Sequence, residues 1–334
     1  MNKKTRILQV GAGAIGCQIL RGLLQKDRFE LVGVVDEDPS KIGLDIGTLL
    51  GLEKLKIPIK DQIPKGPWAK SKKPDIAIIT TSSSLEKIKD EVLELVSLGI
   101  HVVSTCEELT FPWKTQSVIA HQIDALAKEK GVAVLATGVN PGFLMDFLPL
   151  VMSGVCKDVE KIQVERIQDA QFRRLPFQKK IGTGLSREEF FKRVKEGALR
   201  HIGLTESMHL LASKLGWVLD RTEDIVEPVM ATKQVFSGDL FIAKGDILGV
   251  NQTGVGFIND QEVIRLFFRA TIGEPNPRDR VLITGTPNIE LEIKEGLNGD
   301  IATCALIINA IPIVCQARPG LRTMGDIELI SCSL

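Results

Sequence analysis

No stretch limits the fold of this chain more than Arg6 to Asp36, RILQVGAGAIGCQILRGLLQKDRFELVGVVD. Ile7-Leu8-Gln9-Val10 is an apolar run that reads as a buried strand. A tight turn follows, Gly11-Ala12-Gly13-Ala14-Ile15-Gly16. The helix after it carries apolar residues at Ile15, Ile19, Leu20 and Leu23, a spacing that gives one inward face. A second strand, Phe29 to Val35, ends on Asp36. Strand, glycine turn, helix, strand and terminal acid together are the pattern of a dinucleotide-binding βαβ unit. Gly11 allows the sharp turn, Gly13 lets a pyrophosphate approach the backbone, and Gly16 lets the helix pack on the strand. The helix N-terminus offers unsatisfied N–H groups and a partial positive charge to the phosphates. Asp36, twenty residues beyond Gly16, is placed to accept both ribose hydroxyls, which favours NAD. Ser40 and Lys41 follow closely enough to bind a 2′-phosphate, so NADP stays open.

The rest of the chain fits a globular protein better than a nucleic-acid or membrane protein. At 334 residues it is long enough for two domains, each with its own core. The formal net charge of +0 implies no broad basic surface, and the absence of tyrosine argues against base-stacking platforms. MNKKTR runs directly into the first strand without an apolar signal segment, and a cytoplasmic location is expected. Ile301 to Cys315, the most apolar late run, is too short to span a membrane and reads as a core helix. None of the six cysteines forms a C-x-x-C pair, and the four histidines show no ligand spacing, so no metal is expected.

Up to about Asp146 the pattern alternates strand and helix. Pro74 to Thr80 is a continuous apolar strand, Leu85 to Leu98 a helix, Gly99 to Val103 a strand, Thr115 to Lys130 a helix and Val132 to Ala136 a strand. This is the signature of an α/β Rossmann fold, a doubly wound parallel sheet. Beyond it the pattern changes to helical segments at Ser186–Glu196 and Thr205–Leu215. Strands follow at Val226–Phe236, Gly249–Ile258, Glu262–Ile272, Arg280–Thr284 and Ile289–Glu295. These predict a second α+β domain of mostly antiparallel sheet. The expected division is a dinucleotide domain over 1–145, completed by 299–334, and a substrate-binding and dimerisation domain over 146–298. A symmetric homodimer would cover the outer sheet face of the second domain.

Four loops at strand ends are candidates for chemistry. Thr80-Thr81-Ser82 closes one strand where dinucleotides bind in open α/β sheets; the alternative is helix capping by Ser83 or Ser84. Ser104-Thr105-Cys106-Glu107-Glu108 closes the next. A carboxylate there can take a proton from a substrate ammonium and later handle water, or it can simply favour a helix dipole. Cys106 has no local histidine to activate it and reads as a small buried filler. Asn140-Pro141-Gly142, a strong turn signal, starts the crossing between domains and contributes either backbone to the cofactor or a hinge. The basic stretch Arg173-Arg174-Leu-Pro-Phe-Gln-Lys179-Lys180 offers an anchor for a substrate carboxylate or a solvated loop.

Three segments, TGVNPGFLMDFLPL (137–150) and STCEELTFP (104–112) around two of these loops and the late ARPGLRTM (317–324), resemble the 2,4-diaminopentanoate dehydrogenase family. That family includes native amine dehydrogenases and shares its architecture with dihydrodipicolinate reductases. The resemblance implies NAD(P)-dependent oxidative deamination of a small-molecule amine, with 2,4-diaminopentanoate giving 2-amino-4-oxopentanoate and ammonia. The family's active-site glutamate maps to Glu107 or Glu108, with Glu108 put ahead. The chain lacks the paired-histidine and lysine motif of true dihydrodipicolinate reductases, which lowers an imine reductase reading. A broader dehydrogenase of simple amines and an NAD sensor without chemistry also stay open.

Overall fold

The parallel sheet forms because its inner strands are short, apolar and buried on both faces, as crossover helices require. A computed structural model describes residues 3–63, 73–171, 173, 175–238 and 240–332, without the side chain of Pro176. Its elements run in the order β1 (Thr5–Val10), α1 (Ala14–Leu24), β2 (Phe29–Val35), α2 (Ile46–Leu49), β3 (Ile59–Lys60), β4 (Ile76–Ile79), α3 (Leu85–Ser97), β5 (His101–Ser104), α4 (Ser117–Lys130), β6 (Ala133–Ala136), α5 (Phe147–Ser153), β7 (Asp158–Asp169), α6 (Leu175–Lys180), α7 (Arg187–Lys195), α8 (Leu204–Leu215), β8 (Arg221–Met230), β9 (Val235–Ser237), β10 (Leu240–Ile242), β11 (Ile247–Ile258), β12 (Gln261–Thr271), β13 (Arg278–Thr286), β14 (Ile289–Lys294), α9 (Gly299–Val314) and β15 (Gly320–Arg322). The chain divides into two units, Met1–Phe143 with Asn298–Leu334, and Leu144–Leu297.

The first unit holds a seven-stranded parallel sheet in the order β15-β6-β5-β4-β1-β2-β3. β4 and β6 are buried at every residue, so their apolar runs need no alternation. α3 shows why the helical period is readable: Leu85, Ile88, Val92, Leu95 and Val96 form its buried stripe. Full burial of each such side chain contributes about 1.5–3 kcal/mol. α9 is apolar almost all round and packs on α1 and β5. Gly22 makes the α1 contact possible, since a Cβ there would lie 2.6 Å from Ile308 Cδ1. Among the described residues no helix is long and apolar enough to cross a membrane.

The second unit is a mixed sheet in the order β14-β13-β7-β12-β11-β8, in which only β7 and β12 run parallel. Ile162, Val164, Ile264, Leu266, Val281 and Ile283 line its inner face, packed with Leu204, Met208 and Leu211 of α8. β8 begins five residues before the expected Val226, because its opening RTEDI pairs with β11 while leaving alternate side chains exposed. The expected strand tail beyond Met230 is instead a separate hairpin, β9 with β10.

Candidate active site

The chain order reverses around β1, which lies between β2 and β4, and the loops that leave the carboxyl ends of β1, β4, β5 and β6 share that edge of the sheet. The glycine loop is shaped for a phosphate. Gly11 takes φ +91°, in the left-handed region, and a Cβ there would lie 2.9 Å from Thr80 Oγ1. A Cβ on Gly16 would lie 2.1 Å from the carbonyl oxygen of Gly11, so any side chain would push α1 off the turn. A Cβ on Gly13 meets nothing within 4 Å. Gly13 is also the N-cap of α1 and makes no side-chain cap, leaving first-turn amides for a pyrophosphate. The loop therefore fits a dinucleotide. Gly13→Ala is expected to keep the fold and weaken cofactor binding by about 1–3 kcal/mol, roughly tenfold to a hundredfold in Kd. Calorimetric titration with NAD and NADP reads this, and an unchanged Kd would remove the pyrophosphate from that position.

Asp36 is buried at the end of β2. Its Oδ2 accepts from the Ala12 amide at 2.6 Å, and Lys41 Nζ lies 3.1 Å from both carboxylate oxygens. Asp36 thus braces the glycine loop, and Lys41 balances its charge. Ser40 Oγ donates to Asp38 Oδ1 at 2.7 Å. Thr80 is a strut: its hydroxyl donates to the Gly11 carbonyl at 2.9 Å and accepts from Gln9 Nε2, also at 2.9 Å. Gln9, fully buried in β1, also donates to the Gly11 carbonyl at 2.8 Å. Sequence reasoning does not single it out; the one signal is an amide inside an apolar strand. Thr81 Oγ1 donates to Glu91 Oε2 at 3.1 Å, where burial pushes the Glu91 carboxyl up. Ser82 Oγ accepts from the Ser84 amide at 3.2 Å.

The loop after β5 separates the two glutamates. Glu107–Thr110 is one turn of 3-10 helix. Glu108 turns its carboxylate onto the start of α3, where Oε2 accepts from the Leu85 amide at 2.7 Å and from Gln116 Nε2 at 2.6 Å. Ser84 occupies the N-cap of α3 without a side-chain cap, so Glu108 performs the capping expected of Ser83 or Ser84. Glu107 opens the 3-10 turn and is half-buried. Thr105 donates its amide to the Ile79 carbonyl at 3.0 Å. Cys106 is buried, its thiol donates to the Ser83 carbonyl at 3.2 Å and is pushed up by burial, and its backbone amide donates to Ser104 Oγ at 3.0 Å, so it fills space as the sequence suggests.

After β6, Asn140 is buried and the Asn140–Pro141 peptide is cis. The Val139 amide donates to Thr303 Oγ1 of α9 at 3.2 Å, which fixes this loop on the returning helix. Ala12, Ala14 and Ile15 lie in the glycine loop and first turn of α1 as expected. In the second unit, Arg173 stacks over Phe177, 4.1 Å from the ring centroid, and NH1 donates to Gln168 Oε1 at 3.3 Å. Arg174 lies outside the described residues.

A doubly wound sheet with an open glycine loop, a bracing acid and carboxylates on the same edge defines a nicotinamide-dependent dehydrogenase. Comparison with known proteins narrows this. The family model of the 2,4-diaminopentanoate dehydrogenase C-terminal domain matches residues 143–334, and a CoA binding domain model matches residues 2–107. The chain belongs to the 2,4-diaminopentanoate dehydrogenase family. It is 32% identical to the 2,4-diaminopentanoate dehydrogenase of Acetoanaerobium sticklandii, over 98% of this chain and 94% of that one. It is 23% identical to an amine dehydrogenase of Streptomyces virginiae, over 96% and 95% of the two chains. The solved amine dehydrogenase of Mycobacterium smegmatis shares the fold, with a TM-score of 0.86 at 22% identity over 99% of this chain and 98% of that one.

Proposed function

We propose that the chain oxidises the 4-amine of 2,4-diaminopentanoate with NAD or NADP, giving 2-amino-4-oxopentanoate and ammonia. The observation that carries this reading is the Glu107–Glu108 pair at the carboxyl end of β5, on the sheet edge that holds the glycine loop. When bound, the nicotinamide supplies hydride acceptance; the protein supplies position and proton transfer.

Glu108, whose Oε2 holds the Leu85 amide and Gln116, is the carboxylate we assign to positioning, and Glu107, half-buried at the opening of the 3-10 turn, is the one we assign to the substrate. It takes a proton from the substrate ammonium, and the freed amine lone pair assists departure of hydride from the adjacent carbon. Water then adds to the iminium. The same carboxylate moves the proton as the adduct collapses to ketone and ammonia. Glu108 keeps the 3-10 turn, the start of α3 and Gln116 together, and so positions Glu107. Asp36 and Lys41 serve the adenosine ribose: Asp36 suits the two hydroxyls of NAD, while the adjacent ammonium tolerates the 2′-phosphate of NADP. Arg173 is the anchor we assign to the substrate carboxylate.

The test is reduced-cofactor formation by the purified protein with NAD and with NADP, offering 2,4-diaminopentanoate beside simple alkyl and cyclic amines. Turnover of the diamino acid is expected with both cofactors. Turnover of simple amines alone would replace the substrate assigned here. Silence with every amine, joined to ammonia-independent reduction of a cyclic imine, would overturn the reaction.

A further inference from the structure

Glu91 is an acid set against the apolar stripe of α3. It lies three residues after Ile88 and four before Leu95, both buried, so helical geometry puts it beside the face that packs on the sheet. Its carboxylate turns to the carboxyl end of β4, where Oε2 accepts from Thr81 Oγ1 at 3.1 Å. Among the described residues that neutral hydroxyl is its one partner: no cation pairs with the carboxylate, and Oε1 receives no donor. Burial first, and then the charges of Glu37 and Glu94, push the carboxyl up. A half-buried carboxylate without a cation costs the fold stability. Its place on the sheet is the second observation. Val10 of β1 pairs with Val35 of β2 on one side and with Ile79 of β4 on the other, so the glycine loop emerges between Asp36 and Thr80-Thr81. Right-handed crossovers send α1 and α3 to opposite faces of the sheet, which opens a crevice where the strand order reverses. Thr81 is exposed at that end of β4, and Glu91 is half-buried behind it.

We propose that Glu91 is the acceptor for the exocyclic amine of the cofactor's adenine. Oε1 takes an N–H of that amine while Thr81 holds Oε2. This rests on the dinucleotide site described above, with the pyrophosphate on the first turn of α1 and the ribose assigned to Asp36, and it is independent of which amine the chain oxidises. A dinucleotide held at those two points directs its base into the crevice at the strand reversal. The exocyclic amine of adenine is a donor with no acceptor of its own, so it suits a carboxylate oxygen that lacks a donor. The carbonyl of hypoxanthine at the same position of the base sets an acceptor against an acceptor. The acid therefore selects adenine over an oxo base, and base specificity is what its burial provides.

The experiment is calorimetric titration of the full chain with NAD and with nicotinamide hypoxanthine dinucleotide, which differ in the base alone. The unaltered chain is expected to bind NAD about tenfold to a hundredfold more tightly, the range of one charge-assisted hydrogen bond. Glu91→Ala is expected to bring the two Kd values together, chiefly by weakening NAD. Glu91→Gln is nearly isosteric and still accepts from Thr81, so the fold is preserved. Its amide accepts from adenine in one orientation and donates to hypoxanthine in the other. It is therefore expected to tighten the hypoxanthine form while weakening NAD less than Glu91→Ala does. An acid with a structural role alone would move both dinucleotides alike. Equal Kd values for the two in the unaltered chain, or a ratio unchanged in both variants, would overturn the inference and leave the cofactor site standing. Binding of neither dinucleotide by the unaltered chain would overturn the cofactor site and the inference with it.

Discussion

Glu107→Gln is expected to lower kcat by about 10²–10⁴-fold, the range for a positioned general base, which is roughly 3–5 kcal/mol of barrier. The amide is nearly isosteric and keeps hydrogen-bonding capacity, so fold and cofactor affinity should survive. Glu108→Gln should behave differently. Its amide oxygen can still accept from the Leu85 amide, and Gln116 can reorient to match the new donor, so turnover should fall much less. Glu108→Ala removes the cap of α3 and should cost about 0.5–2 kcal/mol of stability. It should lower kcat only as far as Glu107 drifts. The two sites therefore separate by readout: Glu107 moves kcat without Tm, and Glu108→Ala moves Tm first. Cofactor titration and thermal unfolding on each variant make the comparison. Full turnover by both glutamine variants with cofactor binding intact would remove the carboxylate from the chemistry.

The dinucleotide unit is readable in the sequence because every part of its signal is local. Gly11, Gly13 and Gly16 act within one turn, α1 and α3 each bury one stripe at helical spacing, and β4 and β6 are continuous apolar runs. What is not readable depends on contacts across distance. Glu108 caps a helix that starts 23 residues earlier, and nothing in CEEL distinguishes that role from a first-turn acid. The mixed sheet is legible as strands but not as pairing, since β7 and β12 run parallel across most of the second unit's sequence. The short α5 and α6 escape the pattern: seven and six residues give too few turns for a period to show. His201 carries no ligand spacing, and its setting depends on Phe268 and Gln252, far along the chain.

Asp279→Ala is expected to destabilise the protein by about 3–5 kcal/mol, the cost of leaving a buried cation without its partner. Arg166 and Asp279 are only 2% and 0% exposed, and NH1 lies 3.0 Å from Oδ2. Both bind the backbone of Leu297, the last residue of the second unit. Its amide donates to Asp279 Oδ2 at 2.7 Å, and its carbonyl accepts from Arg166 NH2 at 3.0 Å and from Gln168 Nε2 at 3.1 Å. Burial pushes the Asp279 carboxyl up and the Arg166 guanidinium down, so desolvation outweighs attraction at each partner. A buried pair of this kind adds little net stability, yet each half is costly without the other. A double replacement, Arg166→Met with Asp279→Leu, should recover most of the loss in denaturant unfolding. It should not recover function, because Gln168 accepts from Arg173 and would lose its neighbour on the Leu297 carbonyl. A double variant as unstable as Asp279→Ala would mean that the Leu297 contacts, rather than the unpaired charge, set the cost. A double variant with unaltered KM for the diamino acid would uncouple this network from Arg173.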